Sequence, residues 1–266
     1  MIRNLKNCKH LFVLMLVLVI SGCDDDSGHN HDDHDHDVDA LTLDNCESSF
    51  GTGVDLFYST YFSCVDATIS GDNTVITSDN LPPYESWYYS ESNGNHIDYV
   101  SQGTGYYLNP NSISSQNLSV SIPDNPTSKG LTINEALVDG SVGTSGDEYG
   151  MGPVGVALNG VALFNPLAAP PDMIEDEAFS FDYYSGHPTF DGTYHYHTTT
   201  NGPLEVLFHK ELIQTPTVGS AEIELYGIMC DGTVILGCTE LDGIAPDNSD
   251  FDAQNGHVHD IRDGNT

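Results

Sequence analysis

Two histidines one residue apart form the first candidate site in the sequence. His195 and His197 lie in the segment "FDGTYHYHTTT". If this segment is a β-strand, both imidazoles project from one face, with Cα atoms about 7 Å apart, and Tyr194 and Tyr196 point to the other face. Two imidazoles at this spacing can reach one Zn²⁺ or Cu²⁺ ion. The segment therefore predicts part of a metal site, although most tyrosine-flanked histidines are ordinary strand residues.

Further histidines could complete such a site. His187 lies just upstream in "SGHPTFDG", and "NGHVHD" places His257 and His259 at the same spacing of two residues. The carboxylate of Asp260 could orient one of these rings, since a ligating histidine commonly donates its second ring nitrogen to an acid or a carbonyl. The predicted metal ligands are therefore His187, His195, His197, His257 and His259.

The start of the chain is typical of an exported lipoprotein. Residues 1–22 have basic residues ahead of the apolar run 11–20, which is too short for a comfortable membrane span. The run ends in "VISGC", similar to the bacterial lipobox, which predicts that Cys23 is lipidated and anchors the protein in the bacterial cell envelope, at an inner or outer membrane. The alternative is an ordinary signal peptide that leaves Cys23 free.

An acidic, histidine-rich segment follows the predicted anchor. The sequence "DDDSGHNHDDHDHDVDA" has too few apolar residues to fold, so residues 23–40 are predicted to be a disordered tether. Histidines among carboxylates commonly bind divalent metal loosely. The weak metal ligands predicted in this tail are His29, His31, His34 and His36, and the alternative role is an acidic spacer.

The composition restricts the partners. Six Lys and Arg residues stand against 40 Asp and Glu, a net charge of −34 with neutral histidines. Such a surface repels nucleic acid and attracts cations, although it could equally serve solubility. We expect divalent metal ions as partners, a membrane contact through the lipid anchor and no nucleic acid, and the sequence indicates no protein partner.

The chain has six cysteines, of which Cys8 lies in the predicted signal peptide and Cys23 is the predicted lipidation site. The other four could form disulfides in an oxidising compartment. Proximity favours Cys46 with Cys64 and Cys230 with Cys238, although four cysteines permit three pairings. A two-residue hairpin turn at Asp231-Gly232 would place Cys230 opposite Thr233, which argues against the second bridge.

From residue 41 onward the sequence predicts a mostly β fold. The segments "DLFYSTYFSCVDATIS", "HIDYVSQGTGYYL" and "NLSVSIP" alternate at strand period, whereas "PLEVLFHKELI" could be a helix or a strand. Asn159-Gly160 and Asp231-Gly232 each predict a two-residue hairpin turn with positive φ, and their buried strands should form the central sheet. We expect an antiparallel β-sandwich-like domain with long loops, with residues 41–117 as a β extension packed on a domain at 118–266.

Four segments in this order resemble the YHYH-domain family of exported proteins: "GVALNGVALFNP", "SGHPTFDGTYHYHTTT", "GIMCDGTVILG" and "DNSDFDAQNGHVHDIRDG". The matched residues are His187, Tyr194, His195, Tyr196, His197, Asp231, Gly232, Asn255, Gly256 and His257. The shared histidines imply metal binding. Family members continue into another Tyr/His-rich strand where this chain ends in "IRDGNT", so either the sequence is truncated or this strand is lacking.

Three functions are compatible with these features. The first is a lipid-anchored binding protein for copper or zinc. The second is a metal-dependent hydrolase or oxidase, in which an open coordination position holds a water and Asp191, Asp231 or Asp260 serves as base. The third is a structural or adhesion protein without metal. Calcium at "DNSDFDAQNG" is a weaker alternative because its spacing departs from an EF-hand loop.

Overall fold

A computed structural model describes residues 46–127, 129–132, 150–165, 167–169 and 173–237, with the isolated positions 43, 146, 239 and 244. The predicted signal peptide, the lipidation candidate and the histidine-rich tail lie outside these residues. The calcium alternative, Asp260 and the pair His257 and His259 lie outside them as well.

The N-terminal sheet has four strands in the order β1-β2-β3-β4. Strand β1 pairs with β2 in parallel, and the other neighbours are antiparallel. The fourth strand comes from "NLSVSIP", as its alternation predicts, so the 41–117 extension shares a sheet with the segment that follows it. The strands are β1 Ser49–Phe50, β2 Asp66–Ser70, β3 Asn73–Ser78 and β4 Leu118–Pro123.

The second sheet has six strands in the order β10-β9-β5-β6-β8-β7. The two predicted hairpins supply four adjacent strands of it, so they form most of this sheet as predicted, although the partly buried β10 lies at its edge. Strands β6 and β8 run parallel, whereas the other neighbours are antiparallel. The strands are β5 Pro153–Ala157, β6 Ala162–Phe164, β7 Gly186–Pro188, β8 Tyr194–Tyr196, β9 Leu225–Met229 and β10 Val234–Leu236.

The mostly β prediction is confirmed, but the sheets are mixed rather than purely antiparallel. One hydrophobic core contains side chains of both sheets, for example Ile76 and Ile122 from the first and Val156 and Leu225 from the second. This shared core supports the expected sandwich-like arrangement.

The hairpins of the second sheet use a longer turn than the sequence predicts. Ala157 N donates to Val161 O at 2.8 Å, and Met229 N donates to Thr233 O at 2.8 Å, so each loop has three residues rather than two. The loops are Leu158–Gly160 and Cys230–Gly232, and only their final glycines, Gly160 and Gly232, have positive φ, at 77° and 90°. A turn whose last residue is a left-handed glycine matches the common three-residue hairpin. The prediction of positive φ at Asn159 and Asp231 is therefore wrong.

Three short α-helices occur within the described ranges: α1 Leu56–Tyr61, α2 Ile174–Glu177 and α3 Asn201–His209. Helix α2 continues directly into a 3₁₀ turn, Ala178–Ser180. None of the described helices is long and apolar enough to cross a bilayer.

Two strand predictions are corrected by these elements. The segment "DLFYSTYFSCVDATIS" begins with helix α1, where the Asp55 side chain accepts from Phe57 N at 2.9 Å and caps the first turn, and only its end forms β2. "HIDYVSQGTGYYL" forms only an isolated bridge between Ser86 and His96. Its glycines interrupt the alternation that predicted a strand. "PLEVLFHKELI" lies mainly in helix α3.

The predicted Cys46–Cys64 disulfide is present, and it closes a loop with a sequence separation of 18 residues. Cys230 is a free, exposed cysteine, and Cys238 lies outside the described residues. The predicted pairing of Cys230 with Cys238 therefore involves a residue outside the described part of the chain, and it stays a prediction.

Candidate metal centre

The β7–β8 hairpin brings three histidines together. His187 and His195 are register partners across this hairpin, and His197 directly follows β8. The Nε2 atom of His195 lies 3.2 Å from that of His187 and 2.9 Å from that of His197. One ring nitrogen from each of the three residues lies within 4.8 Å of the others. The prediction that His195 and His197 project from one face, joined by His187, is confirmed.

The hairpin turn sets this register. Thr189 N donates to Thr193 O at 3.0 Å, so the loop is Phe190–Gly192, again three residues ending in a left-handed glycine. The Asp191 carboxylate accepts from the hydroxyls of Thr189 and Thr193, and these bonds hold its pKa below the usual value. Asp191 therefore stabilises the turn, and it also lines the cleft that the three histidines line.

All three rings are buried and packed between phenyl groups. The exposed fractions of His187, His195 and His197 are 1%, 3% and 7%. Phe164 stacks on the ring of His195 with centroids 4.0 Å apart, and Phe181 meets the ring of His187 edge-on at 4.9 Å. Such packing fixes the ring orientations and keeps the three Nε2 atoms directed at one point.

The outer ring nitrogens determine where the protons are. Nδ1 of His195 lies 3.1 Å from Thr193 O, and Nδ1 of His197 lies 2.6 Å from Asn165 O. A carbonyl oxygen can only accept, so both Nδ1 atoms carry the proton when the rings are neutral. The Ser180 hydroxyl donates to Glu177 O at 2.8 Å, and its oxygen therefore accepts from His187 Nδ1 at 2.7 Å.

As a consequence, three Nε2 lone pairs converge. A neutral imidazole with a proton on Nδ1 offers only an acceptor at Nε2, so contacts of 2.9 and 3.2 Å between Nε2 atoms have no proton to share. Two nitrogens about 2.05 Å from one ion are about 3.3 Å apart at a tetrahedral angle and about 2.9 Å apart at a right angle. The observed spacings suit a shared cation.

Burial keeps the rings neutral. Desolvation lowers the pKa of His187 to about 3, with a further contribution from the neighbouring His197. Burial also lowers the pKa of His195, whose two histidine neighbours act in the same direction, and that of His197, where the bond to the Asn165 carbonyl opposes it. Metal ligation requires neutral imidazole, so protons compete weakly for this site near neutral pH.

A carboxylate and a cleft adjoin the three nitrogens. Glu177 Oε1 lies 3.6 Å from His187 Nε2, and its Oε2 lies 3.9 Å from His197 Nε2. Glu177 and the three histidines line one cleft of about 690 Å³, with carboxamides such as Asn109 and Gln116 among its other lining residues. This volume falls in the range of small-molecule sites.

The opposite face of β8 is anchored by a buried phenol cluster. Tyr194 OH donates to Asp182 Oδ1 at 2.7 Å, Tyr84 OH donates to Tyr194 OH at 3.1 Å, and Tyr84 OH also bonds Tyr196 OH. Asn159 from the β5–β6 turn donates to Tyr196 OH at 2.9 Å. Burial raises the pKa of the Asp182 carboxyl to about 6 and keeps the phenols protonated. The alternating Tyr and His residues thus divide a structural face from the candidate metal face.

The remaining candidates take other places. Asp231 Oδ1 accepts from Thr233 N at 2.9 Å and serves the β9–β10 turn, not the histidine cluster. His96 Nδ1 contacts Tyr89 O at 2.7 Å, and His209 is an exposed residue at the end of α3.

Several residues of the site were missed from the sequence. Ser180 and the carbonyls of Thr193 and Asn165 orient the three rings, and Glu177 lies beside two of them. A backbone carbonyl that accepts a hydrogen bond from a ring leaves no signal in the sequence, because every residue has one. The acidic segment "MIEDEAF" contains Glu177, but no spacing pattern connects this residue to the histidines.

Comparison with protein families places this site inside a known domain. Residues 119–245 match the family model described as YHYH protein. The resemblance inferred from the tetrapeptide is confirmed over this span, which includes all three clustered histidines and Glu177 and ends before His257 and His259. No curated protein and no solved structure matches the chain.

Proposed function

From the premise that residues 119–245 form a YHYH domain, we propose that this protein binds one divalent transition-metal ion, Cu²⁺ or Zn²⁺, through Nε2 of His187, His195 and His197. One observation carries the proposal: the three buried Nε2 lone pairs face one another because carbonyl and hydroxyl partners hold the protons on the three Nδ1 atoms.

The donor set favours these two ions. Imidazole nitrogen suits Zn²⁺ and Cu²⁺, whereas Ca²⁺ and Mg²⁺ require oxygen ligands. Each ring also donates its second nitrogen to a fixed partner, which is the second-shell arrangement that orients metal-ligating histidines. The excess of 40 acidic over six basic residues raises the local concentration of cations.

The N-terminal segment fits the same proposal. A lipid at Cys23 would hold the protein at a membrane of the bacterial cell envelope, and the tail histidines would capture ions loosely near the buried site. We expect the buried site to be the tighter one, because its side chains are already oriented, whereas a tail that is disordered, as its composition predicts, would lose conformational entropy on binding.

A metal-dependent hydrolase or oxidase is the second candidate, and the cleft favours it. A cleft of about 690 Å³ lined by the three histidines could bring a substrate to the ion. A Zn²⁺ ion held by three histidines can ionise a bound water near neutral pH. The enzyme candidate therefore requires the metal site and adds turnover to it.

Calorimetric titration tests metal binding. The full-length chain, with the four tail histidines replaced by serine, is titrated in detergent with ZnCl₂ and with CuCl₂. We expect one saturable ion per chain, and a melting temperature that rises with metal, since a free concentration 1,000 times Kd stabilises the fold by about 4 kcal/mol.

Binding of neither ion in this background, with an unchanged melting temperature, would contradict the proposal. The unmodified chain titrated in parallel reports the contribution of the tail as additional, weaker binding.

A further inference from the structure

The geometry points to Glu177 as a fourth ligand of the metal centre. This inference rests on the proposed function, because it completes the coordination of the ion that the three histidines hold. Nothing in the Tyr-His-Tyr-His segment indicates it, since Glu177 belongs to helix α2, a different part of the chain.

The carboxylate is placed to reach the same ion. Its two oxygens lie 3.6 and 3.9 Å from Nε2 of His187 and His197. In a tetrahedral site, an oxygen and a nitrogen each about 2.0 to 2.1 Å from Zn²⁺ are about 3.3 Å apart. These two approaches are made by different oxygens, and the ligand atoms within 4.8 Å of one another among the described residues belong to the three histidines. The Glu177 side chain would therefore have to rotate toward His195 to bring one oxygen into coordination.

The backbone of Glu177 is already tied to the site. Its carbonyl accepts from the Ser180 hydroxyl at 2.8 Å, and Ser180 Oγ accepts from Nδ1 of His187 at 2.7 Å. One residue thus holds the orientation of a ligand ring through its carbonyl and presents a carboxylate to the ligating nitrogen of that ring. Helix α2 and the 3₁₀ turn act as one unit that positions both groups.

The fourth ligand has consequences for which ion is bound. Three neutral imidazoles and one carboxylate leave a divalent ion with a net charge of +1, which reduces the cost of burying it. A carboxylate oxygen is a harder ligand than imidazole or thiolate, so it favours Zn²⁺ and Cu²⁺ over Cu⁺. A tetrahedral ion would be saturated by the four protein ligands. An ion that accepts five or six ligands would keep positions for water or a substrate from the cleft.

Substitution of the carboxylate by an amide tests the inference. In the chain whose four tail histidines are replaced by serine (the tail-serine background), Glu177→Gln should weaken Zn²⁺ binding by about 100-fold or more, because loss of a ligand costs more than the 10- to 100-fold of a residue that only orients one. One ion per chain should be retained, because the histidines remain. Glu177→Asp keeps the carboxylate and should recover part of the lost affinity. Glu175→Gln is the matched control: it lies on the same short helix, is exposed, and should bind as the parent does.

A spectroscopic measurement separates ligation from a nearby charge. The visible absorption of bound Co²⁺ reports its ligands directly, so the spectrum of Glu177→Gln should differ from that of the parent, and Glu175→Gln should leave it unchanged. A Zn²⁺ affinity and a Co²⁺ spectrum that are both unaltered in Glu177→Gln, with binding lost in His195→Ala, would overturn the inference alone. Binding that survives His195→Ala would overturn the proposed function itself.

Discussion

His195→Ala should abolish tight metal binding, with Zn²⁺ affinity falling by about 1,000-fold or more. His195 is the central member of the proposed ligand set, since its Nε2 lies within 3.2 Å of Nε2 of both His187 and His197. Loss of a residue that hydrogen-bonds to a metal ligand lowers metal affinity by about 10- to 100-fold, so loss of a ligand itself should lower it more. The measurement is calorimetric titration of the full-length chain in the tail-serine background, with the melting temperature recorded with and without ZnCl₂.

Two variants make this result interpretable. His209→Ala removes an exposed histidine at the end of α3 and should bind Zn²⁺ as the parent does. His195→Gln preserves much of the buried volume beneath Phe164, so a folded His195→Gln protein without metal affinity separates loss of the ligand from loss of packing. Undiminished affinity in both His195 variants would show that the cluster does not hold the ion.

Asn80→Ala should lower the free energy of unfolding by about 3 to 5 kcal/mol, although Asn80 is not one of the proposed metal ligands. Asn80 is fully buried, its Oδ1 accepts from Ala162 N at 2.7 Å, and its Nδ2 donates to Tyr194 O at 2.8 Å. The side chain therefore satisfies backbone groups of both parallel strands, β6 and β8. Each buried group left without a partner costs about 1 to 3 kcal/mol. Denaturant unfolding of the metal-free protein measures the loss.

A glycine variant divides this cost into two parts. Asn80 has φ of 59°, a left-handed conformation that alanine adopts at a cost of about 1 to 2 kcal/mol and glycine adopts freely. Asn80→Gly should therefore be less destabilising than Asn80→Ala by about 1 kcal/mol, and both should be much less stable than the parent. An Asn80→Ala protein within 1 kcal/mol of the parent would show that these two hydrogen bonds contribute little.

The candidate site was predictable to the extent that it depends on strand alternation. The period of two placed His195 and His197 on one face, and the turn between Pro188 and Tyr194 brought His187 opposite His195. Glu177 was not predictable, because no spacing rule connects helix α2, which ends ten residues before His187, to the hairpin. The partners of His195 and His197 are backbone carbonyls, which any residue could supply.

In the fold, too, features set by neighbouring residues could be predicted, whereas features set by contacts between distant segments could not. The Asn-Gly and Asp-Gly pairs correctly marked two hairpins, but the length of each loop depends on how the strands pair. In both loops the glycine alone has the left-handed conformation, and the preceding side chain forms a hydrogen bond: Asn159 to Tyr196, and Asp231 to Thr233. The alternating pattern wrongly predicted a strand where helix α1 forms. The buried aromatic residues of this helix, Phe57, Tyr58 and Tyr61, are spaced so that they share one helix face.

The parallel pairing of β6 with β8 could not be inferred from either strand by itself. Residues 165–193 separate these strands, and they contain helix α2, the 3₁₀ turn and strand β7. Asn80, from the N-terminal part of the chain, bonds to both strands. Contacts of such sequence separation leave no periodic signal.

Metal content is the most direct test of the central claim. The full-length chain with serines at the four tail positions is purified without chelator or metal-affinity resin, loaded with Zn²⁺ or Cu²⁺, desalted and measured by inductively coupled plasma mass spectrometry beside its His187→Ala/His195→Ala/His197→Ala variant. We predict about one ion per chain in the parent and almost none in the variant. Equal metal content in the two proteins, or no metal in either, would contradict the assignment of the three histidines as a metal centre.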